Sequence, residues 1–327
     1  LFSNISQLTD LKQYSNIYIF EEPIYFYDKE YKPFKPNKVK LAFLRASMKY
    51  FFDTMKNENH TIKDKIKYIS YSDSDKFYKR LSHNHHITFF DPLDFDLEKK
   101  IYNLVTKNSK TFTILDNPDL LIPKNILKTQ YYDKHQNTIR HASFYEFVKR
   151  ELDILVGVKN MDKQNRSPPP KTPPYVYLVS KQTKEIEKYY DEAIRYVDKY
   201  FTDHYGTTAN VKQFAITNKD AKKRFQEFLN NSFELFGKYE DAVMKEDSFM
   251  YHSVISPMLN NGILNPQEII SITNTFYNKN KAKIPVASYE GFVRKIIGWL
   301  CMMQGNYIFK HDDLLKSNLP NNKNKFK

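Results

Sequence analysis

Hydrophobic and polar positions alternate between two textures over residues 1 to about 120. Four short runs rich in β-branched and aromatic residues predict strands at 17–20, 66–71, 87–90 and 111–115. The stretches between them carry apolar residues at helical spacing and predict helices at 39–55, 76–81 and 97–105. Strands separated by single helices form right-handed βαβ units. The pattern therefore predicts an α/β domain over residues 1–122, with a doubly wound parallel sheet covered by helices on both faces.

The carboxyl ends of the predicted strands are acidic, and ligands bind beyond these ends in open parallel sheets. The residues that follow the strands include Glu21, Glu22, Asp73, Asp91 and Asp116. All seven glycines lie at or after Gly157, so this part of the chain has none. A P-loop and a GxGxxG turn both need glycine for positive φ and close backbone approach. The sequence thus excludes P-loop nucleotide hydrolases and dehydrogenases with the dinucleotide fingerprint.

Residues 123–210 form a predicted connector. A helix is expected from Arg140 to Val156, and another over residues 182–201. Between them, residues 167–174 contain five of the fifteen prolines, which favours extended polyproline II. Such a segment is a stiff spacer or a ligand for an SH3-like partner, and the spacer is the commoner use.

The rest of the chain has a helical pattern. Asn265, Pro266 and Glu268 provide a cap, a first-turn proline and a first-turn acid, which together predict the start of a helix. Residues 211–312 are expected to form an all-helical domain. Residues 313–327 carry charges without an apolar pattern and predict a disordered tail.

The stretch 251–262 reads Tyr-His-Ser-Val-Ile-Ser-Pro-Met-Leu-Asn-Asn-Gly. Ser256 before Pro257 predicts a helix cap and first turn, and Gly262 ends the helix little more than one turn later. A short helix exposes unbonded N–H groups at its start. With the hydroxyls of Ser253 and Ser256 beside them, these groups would form an anion site suited to phosphate. The simpler interpretation is a capped helix inside a bundle, and the pattern alone favours it.

The stretch 291–305 holds the only tryptophan, the only cysteine and three of the seven glycines. Ser288 is predicted to cap the helix that contains this stretch, and that helix is expected to run to about residue 307. On a helical wheel one face is apolar and carries Phe292, Ile296, Trp299 and Met303. The opposite face consists of small residues, Gly298, Cys301 and Gly305, and is called the small face below. Trp299 is then a packed core residue, and the face of small residues lets another group approach the helix closely.

Composition adds constraints. The net charge of +13 attracts polyanions, nucleic acid before anionic membrane, or reflects a lysine-rich solvated surface. One cysteine excludes an internal disulfide and any multi-cysteine zinc or iron–sulfur site within this sequence. For the histidines at 83, 85 and 86, a polar loop is favoured over a metal site. No catalytic set of residues has recognisable spacing, so the catalytic residues stay unknown.

Nothing in the sequence predicts a membrane partner. No stretch approaches the roughly eighteen apolar residues of a membrane span. The first residues lack the basic and apolar blocks of a signal peptide. An intracellular protein is expected.

The stretch 251–262 resembles the flavin-pyrophosphate motif of photolyases and cryptochromes, Thr/His-Ser-x-Leu/Ile-Ser-Pro-x-Leu-x-x-Gly. Further pieces narrow the resemblance to deoxyribodipyrimidine photolyase-related proteins, the branch that includes bacterial (6-4) photolyases with an iron–sulfur cluster. These pieces are 20–26 (FEEPIYF), 40–48 (KLAFLRASM), 144–150 (FYEFVKR), 164–166 (QNR), 236–243 (FGKYEDAV) and 290–299 (EGFVRKIIGW). They follow the family's order and span nearly the whole chain.

The resemblance implies a Rossmann-like antenna domain with a lumazine-type chromophore, followed by a helical FAD domain. It implies light-dependent repair of pyrimidine lesions in DNA. His252, Ser253 and Ser256 would face the FAD pyrophosphate, and Trp299 would line the flavin and lesion site. The residues near the antenna pocket would be Glu21, Glu22 and Tyr25.

Two departures from the family pattern leave alternatives open. After Trp299 the family has Arg, Glu and an aromatic residue, whereas this chain has Leu300, Cys301 and Met302, which removes a fixed cation. The family's helical domain also continues well past the tryptophan motif, and that part supplies most flavin contacts and the cluster cysteines. The FAD domain is therefore expected to be partial and to need a second polypeptide. Otherwise the chain is a remnant, or a module that binds nucleic acid or a small ligand without photochemistry.

Overall fold

The computed structural model describes residues 10–31, 34–81, 86–106, 111–135, 139–172 and 183–316. The chain forms two compact units. The first unit comprises Leu1–Asp119, Pro169–Ser232 and Val243–Ile269. The second unit comprises Leu120–Pro168, Phe233–Ala242 and Ile270–Lys327. The domain boundaries expected at residues 122, 210 and 312 stay predictions.

Helices dominate the described residues, and the strands are short. The strands are β1 (Ile17–Phe20), β2 (Ile66–Ile69), β3 (His86–Phe90) and β4 (Thr111–Leu115). The α-helices are α1 (Pro23–Phe26), α2 (Lys38–Glu58), α3 (Ser74–Leu81), α4 (Phe95–Thr106), α5 (Lys124–Ile126), α6 (His141–Glu151), α7 (Lys184–Tyr200), α8 (Asn218–Asn231), α9 (Phe233–Phe236), α10 (Ser256–Asn260), α11 (Pro266–Lys279), α12 (Val286–Val293) and α13 (Cys301–Lys316). Short 3₁₀ turns lie at Leu11–Gln13, His60–Lys65, Tyr71–Asp73, Asp162–Gln164 and Val211–Gln213. Two stretches are π-helices, Leu127–Tyr132 and Arg294–Leu300.

All four predicted strands are confirmed, and they pair in parallel. β1 pairs with β2, with Ile17 opposite Ile66 and Phe20 opposite Ile69. β3 pairs with β4 in the same sense. Among the described residues these are two separate two-stranded sheets. The α/β character and the helical remainder are therefore confirmed, whereas a single doubly wound sheet stays a prediction.

Helix α2 organises the core of the first unit. Asn37 caps it, because the Asn37 Oδ1 accepts a hydrogen bond from the Val39 N–H at 3.0 Å. Its apolar face is buried and packs along α7. Where the two helices meet, the Tyr189 hydroxyl donates to the Asp53 carboxylate at 2.7 Å. Removing both apolar faces from water at about 25 cal/mol per Å² drives this pairing.

The elements expected within residues 123–210 are confirmed in part. Residues 167–172 form neither helix nor strand, as the prolines predict, while residues 173–182 lie outside the described residues. Helix α6 ends at Glu151 instead of Val156. The reason is that Asp153 and Leu155 take positive φ values of 50° and 54°, which a helix does not contain.

The start of α11 is confirmed. The Asn265 Oδ1 accepts hydrogen bonds from the N–H groups of Gln267 at 2.9 Å and Glu268 at 3.3 Å. The last helix, α13, continues to Lys316, and residues 317–327 lie outside the described residues. No helix in the described parts of the chain is both long and apolar enough to cross a membrane.

The predicted cap at Ser288 is wrong. Helix α12 already begins at Val286, so Ser288 lies inside it and is buried. The Ser288 hydroxyl accepts a hydrogen bond from the Gly237 N–H and donates one to the Glu234 carbonyl, each at 2.9 Å. A Cβ at Gly237 would lie 2.7 Å from the Ser288 nitrogen. The serine therefore fastens a closely approaching backbone segment and does not start a helix.

Candidate cofactor-binding site

Glu21, one of the predicted antenna residues, follows β1 and is completely buried. Its carboxylate accepts hydrogen bonds from the Arg45 Nη1 at 2.7 Å and the Tyr71 N–H at 2.7 Å. The Tyr68 hydroxyl is a third donor. Burial, followed by the charge of Glu21, raises the pKa of Tyr68 well above its ordinary value. Glu21 is thus held by protein groups and has no surface for a ligand.

Arg45 joins this strand end to α7. The Arg45 Nε and Nη2 contact the Glu192 carboxylate at 2.9 Å and 2.5 Å, a two-point pairing. The guanidinium also lies 3.3 Å from the centroid of the Tyr196 ring. Burial alone would lower the pKa of Arg45, but the hydrogen bonds that Arg45 donates to Glu192 and the charge of Glu21 outweigh it and raise that pKa. The Arg45 cluster (Glu21, Arg45, Tyr68, Glu192 and Tyr196) therefore locks a strand to two helices.

Glu22 and Tyr25 differ from Glu21 in what they can contact. The Glu22 carboxylate accepts from the Lys100 Nζ at 2.9 Å and from the Tyr78 hydroxyl. Lys100 also donates to Asp28 at 2.9 Å, and the pKa of Lys100 is raised because these carboxylate bonds outweigh its burial. Tyr25, on α1, is 38% exposed. Of the three residues, Tyr25 has by far the largest exposed fraction.

The loop before α10 has an unusual backbone. Met250 and Val254 have positive φ values of 43° and 52°, and for the β-branched Val254 this conformation is strained. The His252 Nδ1 lies 3.0 Å from the Phe249 carbonyl oxygen. Ser253 is half-buried and Ser256 is exposed. Strain that a structure retains in a loop is a reason to look for a bound group there.

The short helix after this loop is confirmed, but the predicted cap is wrong. Helix α10 contains Ser256, and Ile255 stands at its cap position with no side-chain hydrogen bond to the first turn. The reason is that Ile255 already has helical dihedrals, with φ −98° and ψ −4°. Gly262 has φ 68°, as the predicted stop requires.

The chemistry of this loop suits an anion. Successive residues with positive φ and helical dihedrals, here Val254 and Ile255, turn neighbouring backbone N–H groups toward one concave side. Without a side-chain cap on α10, these donors and the Ser256 hydroxyl can contact an anion. The residues present therefore suit a phosphate group, which is what the motif implies for FAD.

A second buried arginine, Arg294, lies in the second unit, with three carboxylates around it. Its Nε is 3.2 Å from Glu290, its Nη2 is 3.3 Å from Glu240, and its Nη1 is 3.3 Å from Asp162. Lys295 contacts Glu240 at 2.6 Å. These residues form the Arg294 cluster (Asp162, Glu240, Glu290, Arg294 and Lys295).

Neutral donors extend the Arg294 cluster. The Tyr145 hydroxyl donates to Glu290 at 3.0 Å, and the Asn165 Nδ2 donates to Glu240 at 2.8 Å. Burial and then the charge of Glu290 raise the pKa of Tyr145, so this phenol stays protonated. The cluster and these two donors together bring four separate segments of the sequence to Arg294.

Sequence patterns did not predict this cluster. Its members and the two donors that extend it, Tyr145 and Asn165, lie within four of the motif pieces, 144–150, 164–166, 236–243 and 290–299, or border them, as Asp162 does. The one available signal was the ordered recurrence of these pieces, whose charged and amide residues had no local role. Their shared role is to meet around Arg294.

Trp299 is not packed in a core. It is 44% exposed, and Met303, one turn later, is 60% exposed, whereas Phe292 and Ile296 are buried. The wheel prediction fails because Arg294–Leu300 is a π-helix, whose turn holds one residue more than an α-turn and shifts the faces after it. The Trp299 ring stacks on the His141 ring, with centroids 4.3 Å apart.

The structure also shows what packs against the face of small residues, Gly298, Cys301 and Gly305. A Cβ at Gly298 would lie 3.2 Å from both the His141 Nε2 and the Tyr145 Cδ2. A Cβ at Gly305 would lie 2.5 Å from the Tyr132 hydroxyl. Aromatic side chains of this chain therefore occupy the face, in place of the cofactor or missing helix expected there. Burial raises the pKa of Cys301 on the same face to about 12, so its thiol is protonated.

The described residues contain no group of three or more His, Cys, Asp or Glu that could hold a metal ion. The histidines at 83 and 85 lie outside the described residues. The His86 Nδ1 is 2.7 Å from the Thr111 Oγ1 and its Nε2 is 3.1 Å from the Thr113 Oγ1, so this ring bridges β3 to β4.

The fold and these sites describe an α/β protein with a helical remainder and a phosphate-suited loop. The family model for deoxyribodipyrimidine photo-lyase-related proteins matches residues 1–213. The chain therefore belongs to the deoxyribodipyrimidine photolyase-related protein family.

Individual relatives agree with this assignment. A (6-4) photolyase from Agrobacterium fabrum is 31% identical over 188 residues, which are 54% of this chain and 35% of that protein. Two uncharacterized proteins of Acanthamoeba polyphaga mimivirus are also similar. One is 33% identical over 87 residues, 27% of this chain and 65% of the viral protein. The other is 26% identical over 162 residues, 45% of this chain and 80% of that protein. The matched stretch thus spans about a third of the Agrobacterium photolyase.

Proposed function

We propose that this chain is a photolyase-type flavoprotein that takes part in light-dependent repair of pyrimidine lesions in DNA. Membership of the family and the likeness to a (6-4) photolyase support the reaction class. The observation that carries the proposal is the loop 250–256, where a strained Val254 and an uncapped helix start accompany the serines of the flavin motif.

In this proposal the chain's residues bind and orient FAD. His252, Ser253 and Ser256 face the pyrophosphate, with backbone N–H groups as further donors. Trp299 presents an exposed aromatic face to the flavin and lesion site. When bound, reduced flavin supplies the light-driven electron that splits the lesion. The protein's share is to fix the cofactor and to exclude water from the reacting ring.

DNA is the proposed macromolecular partner. A lesion inside a duplex must leave the base stack to reach an enzyme site, and the protein must hold the flanking phosphates while it does so. The net charge of +13 suits that task. Binding should therefore weaken steeply with added salt.

Further parts of the proposal concern the antenna and the fold. A lumazine-type chromophore would lie against α1, near Tyr25, with Glu22 capping that helix and Glu21 holding the strand end before it. The two parallel strand pairs would belong to one doubly wound sheet. The domain boundaries near residues 122 and 210 would separate this antenna part from the connector and the partial FAD part.

A second polypeptide would supply the remaining flavin contacts. The match to the Agrobacterium photolyase covers 35% of that protein. Two similar viral proteins are each shorter than this chain, because 87 and 162 residues already make up 65% and 80% of them. Sequence similar to this chain therefore occurs in separate, shorter chains, which supports this part of the proposal.

The experiment is an FAD titration of the purified chain by equilibrium dialysis. The Ser253→Ala and Ser256→Ala variants should bind FAD more weakly, since each loses a hydroxyl that contacts phosphate. The control is Ser271→Ala, an exposed serine of α11. Equal affinity in all four proteins would refute the assignment of this loop to the pyrophosphate.

A further inference from the structure

The π-helix Arg294–Leu300 decides which side chains of the last helix face solvent. Lys295, Trp299 and Met303 form an exposed line at a spacing of four residues. Ile297, Cys301 and Gly305 form the buried line. π-Helices are rare, and a sequence returns to the more favourable α-form unless surrounding contacts prevent it. Contacts from the surrounding residues must therefore stabilise the π-helix Arg294–Leu300.

The Arg294 cluster holds the start of the π-helix. Arg294 is its first residue and contacts three carboxylates, and Lys295, the second residue, contacts Glu240 at 2.6 Å. Asp162 and Glu240 come from other segments, so they fix Arg294 from outside its own helix. Glu290 stands four residues earlier and ties the last turn of α12 to the same point.

The same cluster sets the surface on which Trp299 lies. Tyr145 is oriented by its hydrogen bond to Glu290, and its ring packs against Gly298. His141, one turn earlier on α6, stacks on Trp299. The His141 Nε2 is buried and has no hydrogen-bond partner among the described residues, so stacking fixes this ring. The position of Trp299 thus depends on Arg294 in two ways, through the π-helix that carries Trp299 and through the α6 residues against which it packs.

We propose that Arg294 is the positioning residue for Trp299: its three carboxylate contacts hold the π-helix that turns Trp299 onto His141 and out to solvent. Arg294 itself touches no ligand in this scheme. The role of Trp299 toward flavin or lesion rests on the proposed function, whereas its placement by Arg294 does not.

Trp299 is the only tryptophan, so fluorescence excited at the red edge of the indole absorption, beyond that of the 25 tyrosines, reports its surroundings alone. Arg294→Gln keeps a polar side chain but removes the charge. Its emission maximum and its quenching by acrylamide should both shift, while far-ultraviolet circular dichroism stays unchanged. Arg294→Lys, which keeps the charge without the forked geometry, should restore part of the shift. The matched control is Arg150→Gln, an exposed arginine of α6 whose loss should leave the emission unchanged.

A folded Arg294→Gln protein with the emission and quenching of the unaltered chain would overturn the proposal. If that variant does not fold, Asp162→Asn provides the test. It removes the charge of one partly exposed carboxylate and should shift the emission maximum to a smaller degree. Unchanged emission there would also overturn it. All measurements use the chain without flavin or DNA, so failure of the proposed function leaves their outcome intact.

Discussion

Two buried arginines in this molecule are each surrounded by carboxylates, but their clusters have different structural roles. Arg45 in the first unit and Arg294 in the second are each at most 4% exposed, and each contacts carboxylates from distant segments. The closest contacts of the Arg45 nitrogens are short, at 2.5–2.9 Å, and Arg45 lies within a regular α-helix. Those of Arg294 are longer, at 3.2–3.3 Å, and lie in a π-helix that ends beside an exposed tryptophan.

The difference shows what a buried ion cluster can do besides joining elements. The Arg45 cluster fastens a strand end to two packed helices, and Glu21 at its centre has no exposed surface. The Arg294 cluster fixes an unfavourable helical turn and through it shapes a surface. Breaking the first should therefore change stability, and breaking the second should change the placement of Trp299.

The largest expected effect is that of Arg45→Met. It leaves Glu21 buried without its cation, so the free energy of unfolding should fall by about 3–5 kcal/mol in urea titrations. The control is Lys128→Met, which removes an exposed pair with Asp133 and should cause no resolvable change. Similar losses in both variants would show that the Arg45 cluster contributes no more than a surface ion pair.

A smaller effect is expected for Gly291→Ala, beside the Arg294 cluster. A new Cβ would lie 2.6 Å from the Asn165 Nδ2 and 2.8 Å from the Glu240 Oε2, so the cluster must move. The expected loss is about 1–3 kcal/mol of unfolding free energy. Gly298→Ala is the matched variant and should lose less, because its closest contacts would be 3.2 Å. In an unconstrained helix this change is favourable, so a gain at Gly291 would contradict the geometry.

The smallest expected effect concerns pH. Burial, then the charges of Arg294 and Lys295, lower the pKa of His141 below 6.5, and Asp162 only partly offsets them. The folded state thus favours neutral His141, and this stabilisation is present above the unfolded pKa and lost as pH falls through the folded pKa. The intensity of Trp299 emission should stay constant near neutral pH. It should decrease at pH values below 6.5, where an imidazolium stacks on the indole. His141→Gln should abolish this transition, and a midpoint above 6.5 would contradict it.

Local patterns predicted the local structure. The strands at Ile17–Phe20 and Thr111–Leu115 and the cap at Asn265 follow from alternation and capping chemistry within a few residues. The π-helix was not predictable this way, because it depends on carboxylates up to 132 residues before Arg294 in the sequence. The wheel placed Trp299 in a core because it assumes one period throughout.

The candidate site shows the same division. The sequence singled out Ser253, Ser256 and Trp299 by motif, and it also predicted the short helix that follows the serines. It did not predict that Ile255, and not Ser256, stands at the cap, nor that Val254 is strained. Both features depend on backbone dihedrals, which side-chain identity alone does not determine at non-glycine positions.

The central claim, that the loop with Ser253 and Ser256 holds FAD, is tested most directly by adding the chain to FAD while the anisotropy of flavin fluorescence is recorded. A saturable rise is predicted for the unaltered chain, with saturation at higher protein concentration after Ser253→Ala combined with Ser256→Ala. A rise that never saturates, or that is identical in the double variant, would contradict the claim.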